Sequence, residues 1–315
     1  MDKELAIGID IGGTNTVIGL VDRNGNCIAT NRFSTADYPD INGYVEELCD
    51  QIKNLYYSHS SEDFVKQVKG IGIGAPNGNH YRGTIEHAPN LTWKGVIPLA
   101  EMVVKKMNVP VQLTNDAKAA AIGEMIFGGA KGMKNFIEIT IGTGLGSGVV
   151  ANGELIYGND GLAGELGHVN VVRNGRPCGC GRNGCLESYV SKRGIIETFN
   201  ELMDKESKKS IEDITPKQIE ELARREDKVA MKTYDETGRI LGLFFADAVC
   251  FLEPEAIFIF GGIAQAGNLL LNPTKHYMET NIHHIYKGKV KILPSSLPGD
   301  TAAILGAAAM IWKMI

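Results

Sequence analysis

His168 in GELGH (164–168) and Cys178, Cys180 and Cys185 in PCGCGRNGCLES (177–188) bring one imidazole and three thiols into a short stretch of chain. Thiolate and imidazole are the ligands zinc favours, and a Cys₃His set leaves no open coordination position for water. A site of that kind is structural: it gives a glycine-rich loop, too polar to order itself by burial, one fixed shape. Two carboxylates, Glu165 and Glu187, are interleaved with the candidate ligands and would be held rigidly with them. The plainer readings are four unrelated residues or a pair of disulfides.

A second set of chemistry-bearing residues lies in TNDAKAAAIGE (114–124), where the apolar run VPVQLT meets a helical pattern. Asp116 at such a junction can be a helix N-cap. It can also be a general base, because a phosphoryl acceptor hydroxyl needs an oriented carboxylate to take its proton. Asn90 in HAPNLTW, Asn115, Glu165 and Glu187 supply donors and acceptors of the kind that sugar hydroxyls require. His168 can ligate through one ring nitrogen and donate from the other. Trp93 suits either an apolar sugar face or the core.

These side chains have to be positioned, and the elements that do so repeat. Residues 5–22 (LAIGIDIGGTNTVIGLVD) and 136–151 (FIEITIGTGLGSGVVA) both read as strand, glycine-threonine turn, strand, about 130 residues apart, which suggests two related halves. Gly12, Gly13, Thr14 and Asn15 form the first turn, and Thr140, Gly142, Thr143 and Gly144 line the second. Such turns let the backbone approach a ligand closely, and their amides make an anion-binding concavity. Two plain hairpins would use the same glycines. A dinucleotide fingerprint is excluded because a second apolar run, not a helix, follows GIDIGG, and no Walker loop occurs. A third turn, Gly261-Gly262, ends the buried run AIFIF and is assigned to the adenosine end of a nucleotide.

Periodicity predicts strands at 5–11, 16–22, 26–33, 69–74 and 110–114, with helices at 40–57, 98–108 and 116–127. The second half is read as strands at 135–141, 146–151, 256–260 and 289–292. Its helices are expected at 187–203, 215–224, 227–252, 267–282 and 300–313, the last capped by Asp300 and packed back on the first domain. The run at 204–213 reads as a solvated loop. A length of 315 residues suits two domains, expected at 1–122 plus 299–315 and at 123–298. A net charge of −5 argues against general nucleic-acid binding, and no run of apolar residues is long enough for a membrane span. Cys27, Cys49 and Cys250 read as reduced core thiols, so a cytoplasmic protein without a signal peptide is expected.

With DIGGTN (10–15), GIGAP (72–76), APNLTW (88–93), NDAKAAAIGE (115–124), IGTGLGSG (141–148), GELGH, CGCGRNGCLES and Gly261-Gly262, the chain resembles the ROK family of bacterial sugar kinases and related repressors. The resemblance implies an α/β fold of two actin-like ATPase (ribonuclease H-like) domains around a central cleft. It implies ATP with Mg²⁺ as donor and a hexose as acceptor at its 6-hydroxyl, with Asp116 as the base. Asn90, Asn115, Glu165, His168 and Glu187 would then hold the sugar, Asp10 would lie near the magnesium, the zinc would be structural and the protein a homodimer. Many members follow GIGxP with Gly-Pro and a valine-aspartate pair; here the segment is APNGNHYRGTIEHAPN (75–90). Asn77, Gly78 and Asn79 therefore bear on what is accepted at the sugar 2-position, with glucose, N-acetylglucosamine, mannose and N-acetylmannosamine all open. The alternative is a catalytically inactive sugar-binding or regulatory protein; the first hairpin starts near residue 5, which leaves no room in this sequence for a DNA-reading helix pair.

Overall fold

The computed structural model describes residues 4–205, 213–299 and 301–315. The chain divides into two compact units. The first comprises the residues up to Met133 with Leu155–Gly164 and Ser296–Ile315, and the second Lys134–Glu154 with Glu165–Ser295.

In the first unit, β1 (Leu5–Ile11) and β2 (Asn15–Asp22) form the expected antiparallel hairpin, with Asp10 opposite Val17. Strand β3 (Cys27–Ser34) continues it; α1 (Ile41–Tyr57) and the single turn α2 (Phe64–Gln67) lead to β4 (Val68–Ala75). A small sheet of β5 (Gly78–Asn79), β6 (Thr84–Glu86) and β7 (Val96–Ile97) follows, then α3 (Leu99–Met107), β8 (Val111–Asn115) and α4 (Asp116–Ile126). The main sheet has the order β3-β2-β1-β4-β8, with β1, β4 and β8 parallel. Its central strands are buried on both faces; Ile7, Ile9, Ile71 and Ile73 have no exposed surface. Each such side chain contributes about 1.5–3 kcal/mol. The alanines of α4 let the C-terminal helix Ala302–Met314 approach closely, so that a Cβ on Gly306 would lie 2.5 Å from Ala119 O. That contact fixes α4, and with it Asp116.

The second unit repeats the plan. Strands β9 (Phe136–Ile141) and β10 (Leu145–Ala151) form the second hairpin, and β11 (Glu154–Leu155) extends it. Helices α5 (Glu187–Val190), α6 (Lys192–Lys205), α7 (Pro216–Arg224) and α8 (Lys228–Leu252) precede β12 (Ala256–Phe260). After it come α9 (Asn268–Asn281), β13 (Lys291–Pro294) and, in the first unit, the C-terminal helix α10. The sheet order β11-β10-β9-β12-β13 matches the first sheet strand for strand. Thr215 and Gln218 build a capping box at the start of α7, with Pro216 at its first helical position. Among the described residues no helix is long and apolar enough to cross a membrane.

Four expectations need correction. The helix expected at 187–203 is two: Ser191 takes an extended conformation, and its hydroxyl and carbonyl accept from Gly194 N and Ile195 N to start α6. The apolar spacing runs through the break, so periodicity could not show it. The boundary expected after residue 122 falls inside α4; that helix continues to Ile126, and Glu124 Oε1 accepts from Gly129 N at 2.6 Å, tying the following turn to the same unit. The second-domain range 123–298 also included 155–164, which belongs to the first unit. Finally, Cys250, expected as a core thiol, is exposed; the expected cap Asp300 and most of the run at 204–213 lie outside the described residues.

Candidate functional site

At the junction of β8 and α4 the cap is Asn115, whose Oδ1 accepts from Ala117 N at 3.0 Å and from Lys118 N at 3.4 Å. Asp116, one residue on, is therefore relieved of the capping role. It keeps solvent access, while burial raises its carboxyl above the ordinary range. Hydrogen bonds from Ala117 N, from its own amide and from the Asn115 side chain pull the other way.

Asp10 is the penultimate residue of β1, half-buried between Ile9 and Ile11. Its carboxyl is raised to about 6, first by burial, then by the charge of Asp116, and lowered in part by Arg32. Arg32 lies in line with it: Arg32 pairs with Val17 and Val17 with Asp10 across the sheet, so the three share a face. A carboxylate whose proton affinity is raised by burial and by a neighbouring carboxylate is one that a divalent cation would relieve.

The first glycine turn is closed by Gly12 N donating to Asn15 O at 2.9 Å and held from outside by Thr35 N donating to Thr14 O at 2.8 Å. A Cβ on Gly13 would collide with the Asn90 carbonyl, so glycine is required there and Asn90 is brought to the turn. Thr14, Asn15 and Asn90 are exposed. Trp93 is a core anchor, 5% exposed, donating from Nε1 to Tyr38 O at 2.9 Å and packed on Tyr44. Nor are the amides of Asn77 and Asn79 free for a ligand. Asn77 Nδ2 donates to Glu86 O at 3.0 Å, and Asn79 Nδ2 to Asp160 O at 2.9 Å.

In the second unit, Gly142 N donates to Gly144 O at 2.9 Å, closing the second turn beneath an exposed Thr143. Thr140 stands at the end of β9, paired with Gly146. Glu187 links this turn to the cysteine loop. One carboxylate oxygen accepts from Leu145 N at 2.9 Å, and Cys178 Sγ lies 3.7 Å from the other. A Cβ on Gly144 would come within 2.6 Å of Glu187 Oε2. Glu165 is exposed; its carbonyl accepts from His168 N at 3.1 Å in the single helical turn Leu166–His168.

His168, Cys178, Cys180 and Cys185 converge, with one ligand atom from each within 4.8 Å of every other. Cys180 and Cys185 sulfurs are 3.7 Å apart, and Cys178 Sγ is 3.6 Å from His168 Nδ1. The sulfurs are too far apart for a disulfide, and all six cysteines are free. With Zn–S bonds of about 2.3 Å the edge of a tetrahedron is about 3.8 Å, so the donors fit zinc. Burial and the adjacent thiols push Cys185 up to about 12, while the Arg182 amide holds Cys180 below the ordinary thiol range. A cation would remove that conflict by taking all three as thiolates.

The third turn, Gly261-Gly262, follows β12 and opens a short helical turn, Ile263–Ala266, before α9. Beside it is a cavity of about 420 Å³ lined by Lys217, Glu220, Glu221, Tyr234, Gly262 and Gln265, a size that suits a small ligand. Sequence reasoning missed Arg32 and Lys118. The signal for Lys118 was present: a single cation in an otherwise apolar DAKAAAIG helix start.

With this geometry in view, the comparisons with known proteins converge. The ROK family model matches residues 6–314, and the chain belongs to that family. A glucokinase of Streptomyces coelicolor is 34% identical over 96% of each chain. A ROK family glucokinase from Streptomyces griseus, solved in complex with glucose and AMPPNP, is 32% identical, with a TM-score of 0.78 over 97% of this chain and 98% of that one. The fold is thus that of the actin-like ATPases. A xylose repressor of Bacillus spizizenii is 31% identical over 97% of this chain, which spans 76% of the repressor.

Proposed function

We propose that this protein transfers the γ-phosphoryl group of ATP to the 6-hydroxyl of glucose or a close relative of it. As a class it is an ATP-dependent sugar kinase, supported by the glucokinase relatives and by the ligands of the Streptomyces griseus structure. The observation that carries the mechanism is the division of labour at α4: Asn115 caps, so Asp116 is free to act as base.

In that reading Asp116 takes the proton of the acceptor hydroxyl as its oxygen bonds to the γ-phosphorus and the bond to the ADP oxygen breaks. Little covalent work falls to the protein, so positioning and charge stabilisation dominate. Amides and hydroxyls of Gly12–Asn15 and of Thr140, Gly142, Thr143 and Gly144 are assigned to the phosphates. Gly261 and Gly262, with the adjoining cavity, are assigned to the nucleoside. Asp10 would hold Mg²⁺, which when bound neutralises phosphate charge. Asn90, Asn115, Asp116, Glu165, His168 and Glu187 are assigned to the sugar. Ligation through His168 Nδ1 leaves Nε2 available to a hydroxyl. Structural zinc in the Cys₃His cluster, a homodimer and a cytoplasmic location complete the reading. Asn79 is buried with both ends of its amide engaged, so it supplies nothing to a 2-acetamido group, while Asn77 stays exposed and leaves the choice among glucose, mannose and their N-acetyl relatives to the assay.

A regulatory or non-catalytic sugar-binding protein is the second reading, favoured by the xylose-repressor likeness. Coupled measurement of ADP release across glucose, mannose, N-acetylglucosamine and N-acetylmannosamine separates the two. Turnover on glucose well above the sugar-free rate, with phosphate on O6 by phosphorus NMR, is expected. Binding of a sugar without turnover on any of the four would overturn the kinase reading.

A further inference from the structure

Two consecutive backbone carbonyls in the segment Leu155–Gly164 are each held by a buried side chain from elsewhere in the first unit. Lys118 Nζ donates to Gly161 O at 2.8 Å, and Asn79 Nδ2 donates to Asp160 O at 2.9 Å. Lys118 is 2% exposed and Asn79 is fully buried. Asn79 is itself fixed, its Oδ1 accepting from Tyr81 N at 3.0 Å and Arg82 N at 3.3 Å. The neighbours add to the grip. Tyr81 Oη donates to Gly158 O at 2.9 Å, the His80 ring stacks on Tyr157 at 4.1 Å, and Arg82 pairs with Asp160. Gly161 has a φ of +82°, and a Cβ there would lie 2.7 Å from Asn79 Oδ1, so the position admits glycine alone.

An ammonium withdrawn from water is costly unless its donors are used. Lys118 sits among alanines in a helix that an apolar residue would fill equally well. Its charged end reaches the loop Leu155–Gly164, and the loop's last residue, Gly164, is followed at once by Glu165. We propose that Lys118 and Asn79 form a polar anchor that positions the chain entering Glu165–His168, making both side chains determinants of hexose affinity without touching the sugar. This rests on the assignment of Glu165 and His168 to the sugar. A loop held in place before binding loses less freedom when the ligand arrives, and displacement of a contact group by about an ångström is felt strongly.

The test measures D-glucose binding by calorimetry without nucleotide, so that it does not depend on turnover, together with amide hydrogen exchange over residues 155–168. Lys118→Met should raise the glucose Kd by about tenfold or more and accelerate exchange at 158–166, with AMPPNP affinity changed by less than about twofold. Gly161→Ala attacks the same contact from the other side and should give the same pattern, so it decides the matter if Lys118→Met does not fold. Unchanged glucose affinity in a folded variant, or equal losses for glucose and AMPPNP, overturns the anchor. Glucose binding by the wild type without phosphorylation would sink the kinase reading and leave this inference standing.

Discussion

The carboxylate corner of the first unit and the cysteine loop of the second reach rigidity by opposite routes. Asp10 and Asp116 are carried on the ends of a buried strand and an alanine-rich helix, both fixed by apolar packing and backbone hydrogen bonds. Glu165, His168 and Glu187 lie on or beside a glycine-rich loop whose order comes from isolated bridges and converging ligand atoms. The first route surrounds its carboxylates with packed protein, which raises their proton affinities even though Asp116 keeps solvent access. The second leaves Glu165 exposed and, in the proposed zinc site, would make its order depend on a bound ion. General acid–base chemistry is suited to the first region and recognition of a polar ligand to the second.

The largest effect should come from attacking the ion. About one zinc per chain is expected by elemental analysis, and Cys180→Ser should lose it together with several kcal/mol of stability. The loss should be confined at first to the second unit, seen as faster amide exchange over 165–188 with α4 protected. Metal-free protein of unchanged stability and glucose affinity would abolish the contrast between the two regions.

Next in size is Asp116→Asn. Asparagine conserves shape, and the helix cap resides on Asn115, so folding should be unaffected. The kcat on glucose should fall by about a hundredfold or more, about 3 kcal/mol in the barrier, with glucose and ATP affinities little changed. Near-normal turnover would remove Asp116 from the mechanism.

Asp10 tests the burial side of the comparison through pH. Its folded pKa, about 6, lies above the unfolded value near 3.8, so its contribution to stability is fully present below pH 4 and lost as pH rises through 6. Asp10→Asn should therefore stabilise the ligand-free protein at pH 8, by up to about 3 kcal/mol, and have no effect at pH 4. Calorimetric melts of both proteins at the two pH values check this. A stabilisation that grows towards low pH would contradict the assigned cause.

The smallest effect sharpens the comparison at Glu187, which touches both the cysteine loop and the second glycine turn. Glu187→Gln keeps an acceptor for Leu145 N and loses the charge. Glucose affinity should fall by about tenfold, or about 1.5 kcal/mol, and ATP affinity by less. Equal losses would make Glu187 a support for the turn and not a sugar ligand.

The amino-acid sequence by itself determined whatever depends on neighbours along the chain. Both glycine-threonine hairpins, the strand-to-helix junction at Asp116 and the dense Cys₃His spacing were legible because each is a local pattern of residue types. The repeated hairpins pointed to two related halves, and the strand order that the two sheets share came with the structure. Tertiary structure decided everything that depends on a remote partner. It gave the cap to Asn115, broke the helix at Ser191, and buried Trp93 in the core. It also spent the amide of Asn79 on Asp160, and drew Leu155–Gly164 into the first unit through Lys118. Periodicity and composition report which face of an element is apolar, but a hydrogen bond spanning 81 residues, as between Asn79 and Asp160, leaves no periodic trace. Its donor and acceptor meet only once the chain is packed, because unpaired burial of either would cost more than the contact returns.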